Sequence, residues 1–154
     1  MSSVRFDDRG LIVMCPSCGK QNRLAFGRLG QPSRCGDCHT DLATPAEPVE
    51  VQSAAEFDAL VQRSRLPVLI DFWAAWCGPC RIVSPQVELV ARRNGGRLLV
   101  AKVDTEAVSD LAARLGIMSI PTLAVFVRGK EAARTAGAMS GDRIEAFVRD
   151  AINK

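Results

Sequence analysis

Apolar and polar positions divide the chain into two unlike parts. From Val49 onward apolar residues fall into strand-like runs and helical spacing, whereas the first forty or so residues show only brief apolar runs among Gly, Arg and Cys. Val68 to Trp73, V-L-I-D-F-W, is an apolar run broken by one aspartate, which predicts a strand buried on both faces of a largely parallel sheet. Leu98 to Val103 predicts a second such strand and Val49 to Val51 a shorter one. Thr122 to Val127 and Glu131 to Thr135 predict a hairpin across Arg128 and Gly129. Ser53 with Glu56 is a capping-box pattern opening a helix through about Arg63, and Pro67 stops anything helical. Helical spacing recurs over Ile82 to Arg93, with a kink expected at Pro85, over Val108 to Leu115, and from Gly141 or Asp142 to Ile152. Alternating strands and helices of this kind make an α/β domain.

The stretch T-P-A-E-P, Thr44 to Pro48, separates the two parts, and two prolines in five residues favour an extended, semi-rigid connector. The expected division is therefore a small module over 1–43, a linker over 44–48 and an α/β domain over 49–154. A chain of 154 residues, 47 % hydrophobic, suits one full core with a small stapled appendage.

Charge narrows the function. The net +3 comes from 20 basic and 17 acidic residues spread evenly along the chain, so no segment has the concentrated positive field that nucleic-acid binding needs. Leu11 to Met14 is far too short for a signal-peptide core or a membrane span, which predicts a soluble cytoplasmic protein with no membrane partner. Thiols are kept reduced there, so six cysteines in three close pairs argue for metal binding or redox catalysis over a disulfide framework.

Cys15-Pro-Ser-Cys18 and Cys35-Gly-Asp-Cys38 are two CxxC knuckles sixteen residues apart, a spacing that reads as tetrahedral zinc. Each knuckle turns two sulfurs toward one point, and the residues between can form a short hairpin that joins the halves. So small a segment has little apolar area, so the metal, one zinc per chain, supplies much of its folding free energy. Gly19 and Gly36 suit the tight turns. His39, the only histidine, is read as a bystander because four thiolates already close the site.

The third pair, in W-A-A-W-C-G-P-C-R, has a different setting. No cysteine or histidine follows Cys80, so the second part of the chain cannot complete a metal site around Cys77 and Cys80. Between a buried strand and a helix, the pair instead meets the requirement for a dithiol catalyst. A helix N-terminus offers partial positive charge and unpaired N–H groups to the first sulfur, making Cys77 the nucleophile, and Cys80, one turn in and more enclosed, the resolving thiol. Asp71 interrupts the apolar run; a buried lone carboxylate has a raised pKa and is suited to accept the Cys80 proton. Lys102, in A-K-V-D on the next strand, is either its countercharge or a strand-end lysine that reaches solvent. Trp76 is expected to be exposed as a flat contact for a peptide-like substrate and Trp73 to pack beneath the turn. Proline in Ile120-Pro121-Thr122 precedes a strand; spacing alone favours an ordinary trans turn, while a cis bond would free the backbone groups around Ile120 to pair with substrate.

D-F-W-A-A-W-C-G-P-C, the later A-K-V-D, S-I-P-T and Gly137 together resemble the thioredoxin family, over about Val49 to Lys154. With the cysteine-rich module ahead of it, the chain resembles the bacterial thioredoxin-2 type, which carries a zinc ribbon before the thioredoxin domain. The resemblance implies the thioredoxin fold, a central mixed sheet flanked by helices, with cis Pro121 opposite the dithiol. It also implies catalytic roles for Cys77, Cys80, Asp71 and Lys102, and substrate contacts at Trp76, Gly78, Pro79, Ile120, Pro121 and Gly137. The activity implied is protein disulfide reduction with a redox-active disulfide and no bound organic cofactor. The partners implied are oxidised protein substrates and an NADPH-dependent flavoprotein, thioredoxin reductase, and a monomer is expected. Gly78-Pro79 is the dipeptide of the family's reductants. Two positions depart from the commonest pattern, Arg81 in place of lysine and Met118-Ser119 in place of arginine and glycine, and both lie where substrate would dock.

Two rival readings come from other classes. The ribbon is an interaction module that recruits a protein or nucleic acid, with even charge and few aromatics counting against nucleic acid, or the chain is a redox-regulated holdase whose zinc leaves on oxidation. In the main reading, a disulfide reductase, the zinc site is structural, and mild oxidation of the four ribbon thiols is expected to release zinc and give the ribbon a sensing role.

Overall fold

The N-terminal part builds two small antiparallel units in the computed structural model, which describes residues 4–154. Strands β1 (Arg5–Phe6), β2 (Gly10–Met14) and β3 (Gln21–Ala25) form a three-stranded sheet, and β4 (Ser33–Arg34) pairs with β5 (Asp41–Leu42). The module is thus two ribbons, each carrying one knuckle, in place of the single hairpin expected. A 3-10 turn over Phe26–Arg28 links them.

The second part alternates β6 (Val49–Val51), α1 (Ala54–Arg63), β7 (Val68–Trp73), α2 (Gly78–Arg93), β8 (Leu99–Asp104) and α3 (Ser109–Arg114). It closes with β9 (Thr122–Val127), β10 (Lys130–Ala136) and α4 (Gly141–Ile152). The five strands form one mixed sheet in the order β10-β9-β7-β8-β6, with β6, β7 and β8 parallel and β9 and β10 antiparallel to their neighbours. The capping box is present: Ser53 Oγ accepts the Glu56 N–H at 3.1 Å, and Glu56 Oε1 accepts the Gln52 N–H at 2.9 Å.

Alternation along β7 sends its side chains to two different cores. Leu69 joins Val83, Val87 and Val90 of α2 and Ile144 and Val148 of α4, while Ile70 and Phe72 join Phe57, Leu60 and Leu111 on the opposite face. The second core does not stop at the domain edge. Leu11, Leu24, Phe26, Leu29 and Leu42 belong to the same cluster as Val49, Phe57, Leu60 and Leu66, so the ribbon module and the α/β part share buried apolar surface. Polar contacts reinforce the seam: the Arg65 N–H donates to the Phe26 carbonyl at 2.9 Å, Arg65 Nη1 to the Leu29 carbonyl at 3.3 Å, and Arg63 Nη1 to the Asp8 carbonyl. Gly30, at φ +81°, marks a close approach of the two parts. A Cβ there would lie 2.4 Å from the Gly96 carbonyl oxygen, so no side chain fits between the two parts.

Most bounds fall within a residue of the expectation, and two features differ more. Helix α2 starts at Gly78, four residues before Ile82, because Pro79 suits the first turn, where its missing N–H would have no partner anyway. It also runs through Pro85 without ending. In the second knuckle the left-handed residue is His39, at φ 65°, and not Gly36.

Candidate functional site

The two knuckles repeat one backbone design. The Cys15 N–H donates to the Lys20 carbonyl and the Gly19 N–H to the Cys15 carbonyl; the Cys35 N–H donates to the Thr40 carbonyl and the His39 N–H to the Cys35 carbonyl. His39 thus fills the position that Gly19 fills in the first knuckle. It lies outside the group of possible ligands among the described residues, which consists of Cys15, Cys18, Cys35 and Cys38.

The sulfurs of these four all lie within 4.8 Å of one another, with Cys15 Sγ to Cys38 Sγ and Cys18 Sγ to Cys35 Sγ both at 3.6 Å. Sulfurs placed tetrahedrally at about 2.3 Å from a zinc ion would be roughly 3.8 Å apart, so the donor set fits. The amides of Ser17 and Asp37 point at Cys15 Sγ and Cys35 Sγ, each at 3.4 Å, and Asn22 Nδ2 donates to Cys35 Sγ at 3.5 Å. Backbone N–H groups of Cys38 and Asp37, with Asn22, pull the Cys35 thiol down to about 6. The Thr40 hydroxyl and amide lower Cys38. At Cys18 the Lys20 N–H also acts downward, but desolvation and the thiols of Cys38, Cys35 and Cys15 prevail and push it up to about 12. Four thiols this close cannot all ionise by themselves, and a divalent cation is what lets them do so.

The third pair occupies the other end of the α/β part. Cys77 is the N-cap of α2 and its sulfur accepts the Cys80 N–H at 3.2 Å. Cys77 and Cys80 are joined as a disulfide with their Cα atoms 5.3 Å apart. Gly78 and Pro79 form the first two residues of the helix between them. The expected contrast in enclosure is absent in this state: Cys77 is 2 % and Cys80 4 % exposed, because the crosslink tucks both sulfurs against Ala74, Trp73 and Ile120.

Asp71 stands on β7 two residues before the strand's end, 1 % exposed, and neither carboxylate oxygen has a hydrogen-bond partner among the described residues. Burial pushes its carboxyl up to about 6, against a downward pull from Lys102 and a smaller upward push from Glu50. Lys102 is opposite it on β8. Its ammonium donates to Ser84 Oγ of α2 at 2.7 Å and lies 5.4 Å from the centre of the Trp73 ring. A cleft of about 320 Å³ joins Lys102, Ser84, Trp73 and Cys80, so the disulfide and the lysine border one space.

Of the remaining predicted residues, Ile120 packs against the pair and Trp76 precedes it in the chain. Trp76 is 67 % exposed and its indole Nε1 donates to Glu106 Oε1 at 2.7 Å, while Trp73 is largely covered beneath the turn. The Ile120-Pro121 bond is cis, as the resemblance implied and spacing alone did not. Gly137, at φ +99°, donates its N–H to the Pro121 carbonyl at 3.0 Å, tying the end of β10 to that loop. Met118 is 94 % exposed nearby in the chain. Sequence reasoning missed Ser84, Glu106 and Glu50, since each acquires its partner only through the register of strands and the packing of α2.

A model of the family described as thioredoxin matches residues 48–150. The chain belongs to the thioredoxin family. It is 42 % identical over 129 residues to "Thioredoxin C-3" of Corynebacterium nephridii, covering 84 % of this chain and 87 % of that protein. It is 46 % identical over 99 residues to "Thioredoxin 1" of Chlorobaculum tepidum, covering 64 % and 98 %. Among solved structures, an N21Q mutant thioredoxin from Halobacterium salinarum superposes with TM-score 0.65 at 33 % identity, over 71 % of this chain and 94 % of that one. Plasmodium falciparum thioredoxin superposes with TM-score 0.61 at 29 % identity, over 66 % and 97 %. The fold is therefore the thioredoxin fold and the chain is a thiol-disulfide oxidoreductase, a protein-disulfide reductase. No helix among the described residues is long and apolar enough to cross a membrane.

Proposed function

We propose that this thioredoxin reduces protein disulfides through Cys77 and Cys80, is recycled by an NADPH-dependent thioredoxin reductase in the cytoplasm, and acts as a monomer. The observation that carries the reading is a disulfide at the start of α2, directly after the strand β7 that holds a buried carboxylate with no hydrogen-bond partner among the described residues.

In the reduced protein the Cys77 thiolate attacks one sulfur of a substrate disulfide. The bond between the substrate sulfurs breaks, the leaving sulfur departs as a thiolate and takes a proton from solvent, and a mixed disulfide to Cys77 forms. The Cys80 thiol then gives its proton to Asp71, whose carboxyl titrates near the working range. The Cys80 sulfur attacks Cys77, the mixed disulfide breaks, and the second substrate thiolate leaves. Two electrons pass from the dithiol to the substrate, and the Cys77–Cys80 disulfide is the product. Lys102 tempers the charge of Asp71. Trp76, Gly78, Pro79, Ile120, Pro121 and Gly137 offer the surface and the backbone groups against which a substrate segment docks.

The N-terminal module, residues 1–43, is proposed as a zinc ribbon of the thioredoxin-2 type, joined by 44–48 to the redox domain, 49–154. The sulfur geometry supports it, as does a relative whose aligned stretch is longer than the segment from Val49 to Lys154. Zinc bound by Cys15, Cys18, Cys35 and Cys38 crosslinks the two knuckles and takes no part in thiol exchange. A peroxide that took two electrons from each pair of these thiols and left them as disulfides would remove the ligands and release the ion, which would give the ribbon a sensing role.

Reduction of insulin disulfides by the full chain with NADPH and thioredoxin reductase tests the main reading. Turnover that requires Cys77 is expected. A chain that precipitates no insulin chains, either with the reductase or after prior reduction by dithiothreitol, overturns it.

A further inference from the structure

Asp71, Lys102 and Glu50 form one lateral row across three strands. Asp71 on β7 is in register with Lys102 on β8, and Lys102 is in register with Glu50 on β6. In-register parallel neighbours present their side chains to the same face of a sheet. The single ammonium of the row is thus flanked by two carboxylates, one sealed and one half-buried. We propose that Glu50 is a positioning residue for thiol exchange: it competes with Asp71 for the Lys102 ammonium and so sets the pH above which Asp71 can take the Cys80 proton. The inference rests on the reading of Asp71 as that proton's acceptor.

Lys102 lines two spaces at once, the cleft beside Cys80 and a second of about 560 Å³ at the connector, bordered by Glu50, Glu88, Arg92, Pro45 and Pro48. Its position is pinned by Ser84 and Trp73, so it is not free to close onto Asp71 alone. The Asp71 carboxylate gains from Lys102 but is penalised by the negative charge on the far side. Among the described residues the charged groups that act on Asp71 are Lys102 of β8 and Glu50 of β6, while β9 places the apolar Leu123 opposite it. Glu50 faces Lys102 and Asp104 of β8, Glu88 and Arg92 of α2, and Glu47 of the connector. Burial raises its own carboxyl. The two carboxylates are therefore coupled through one cation, and removing the Glu50 charge lets Lys102 favour ionised Asp71 more strongly.

The test follows the pH dependence of insulin reduction by the full chain, together with the Asp71 carboxyl carbon resonance in the oxidised protein. Glu50→Gln keeps size and half-buried shape, and is expected to move both the acid limb and the Asp71 titration to lower pH by about half a unit. That is the size expected for a partly screened charge two strand spacings, roughly 10 Å, away. Glu50→Asp should restore most of the wild-type limb, and Lys102→Met should shift it the other way. Glu88→Gln, in the same cleft but outside the row, should move it less than half as far. Equal shifts for Glu88→Gln and Glu50→Gln would assign the effect to net cleft charge and overturn the role of Glu50. A limb that vanishes in Asp71→Asn but is unmoved by Glu50→Gln overturns this inference alone. A limb that persists in Asp71→Asn overturns the acceptor role of Asp71 and with it the inference.

Discussion

Asp71 lies directly beside Lys102 in the parallel register of β7 and β8, yet its two carboxylate oxygens have no hydrogen-bond partner among the described residues, and the lysine donates to Ser84 instead. A carboxyl held in this way lowers stability whenever it is ionised. In the folded chain it titrates near 6, against 3.8 for an ordinary aspartate. Well below pH 4 it is protonated in both the folded and the unfolded state and makes no pH-dependent contribution. Between pH 4 and 6 the unfolded chain loses the proton more readily than the folded one, so stability falls as pH rises, and the loss is complete above the folded value.

Asp71→Asn should remove that loss. The variant is expected to gain little near pH 4 and on the order of 2–3 kcal/mol at pH 7.5, measured by denaturant unfolding across pH. Reduction of insulin should slow, by roughly 10-fold or more, because the Cys80 proton loses its acceptor. A variant that is no more stable at pH 7.5 and equally fast would remove the basis for Asp71 as a buried base.

Much of this was legible before any coordinates, and the reasons differ by residue. Val68 to Trp73, Thr122 to Val127 and the closing helix to Ile152 have their predicted bounds because periodicity and breakers agree there. The start of helix α2 is hidden in the sequence because Gly78 and Pro79 read as a turn, although proline is also a good first-turn residue. The sulfur cluster followed from spacing alone. What no local pattern carries is a partner on another strand: Glu50 beside Lys102, Glu106 under the Trp76 indole, and the ribbon leucines inside the α1 core depend on register and packing.

The order of the two thiols on α2 separates their fates. Cys77→Ser should abolish reductase turnover, since the N-cap sulfur is the one that faces the helix N-terminus. Cys80→Ser should leave a nucleophile that cannot be released, so oxidised target proteins should accumulate as mixed disulfides on non-reducing gels. Near-normal turnover by the first variant, or an absence of trapped species with the second, would reverse the assignment.

Trp76 presents a mostly exposed ring beside the disulfide, held by its bond to Glu106. Trp76→Ala should raise KM for protein disulfides several-fold, equivalent to about 1 kcal/mol or more of lost contact, with smaller change in the rate at saturation. Glu106→Gln keeps an acceptor for the indole and should lie close to wild type. Equal kcat losses for both would point to a structural defect at the turn.

The last expectation concerns the seam between the two cysteine sites. Phe26 is 1 % exposed, stacks edge-on with Phe6 at 6.2 Å between centroids, and belongs to the cluster that holds Phe57, Leu60 and Leu66. Its carbonyl accepts the Arg65 N–H, so the backbone as well as the side chain crosses the seam. Losing the metal should unfold the ribbon, whose own apolar area is too small to offset chain entropy. That would uncover one side of α1 and lower the stability of the redox domain, although every residue proposed for thiol exchange lies after Val49. Full-length chain with one equivalent of zinc should therefore melt in one calorimetric transition, which moves to lower temperature on chelation, while insulin reduction at 25 °C survives. Phe26→Ala should produce a comparable shift with zinc retained, at a cost of about 3–5 kcal/mol. Two transitions, the higher one unmoved by chelation and by Phe26→Ala, would mean that the buried seam contributes nothing to the redox domain.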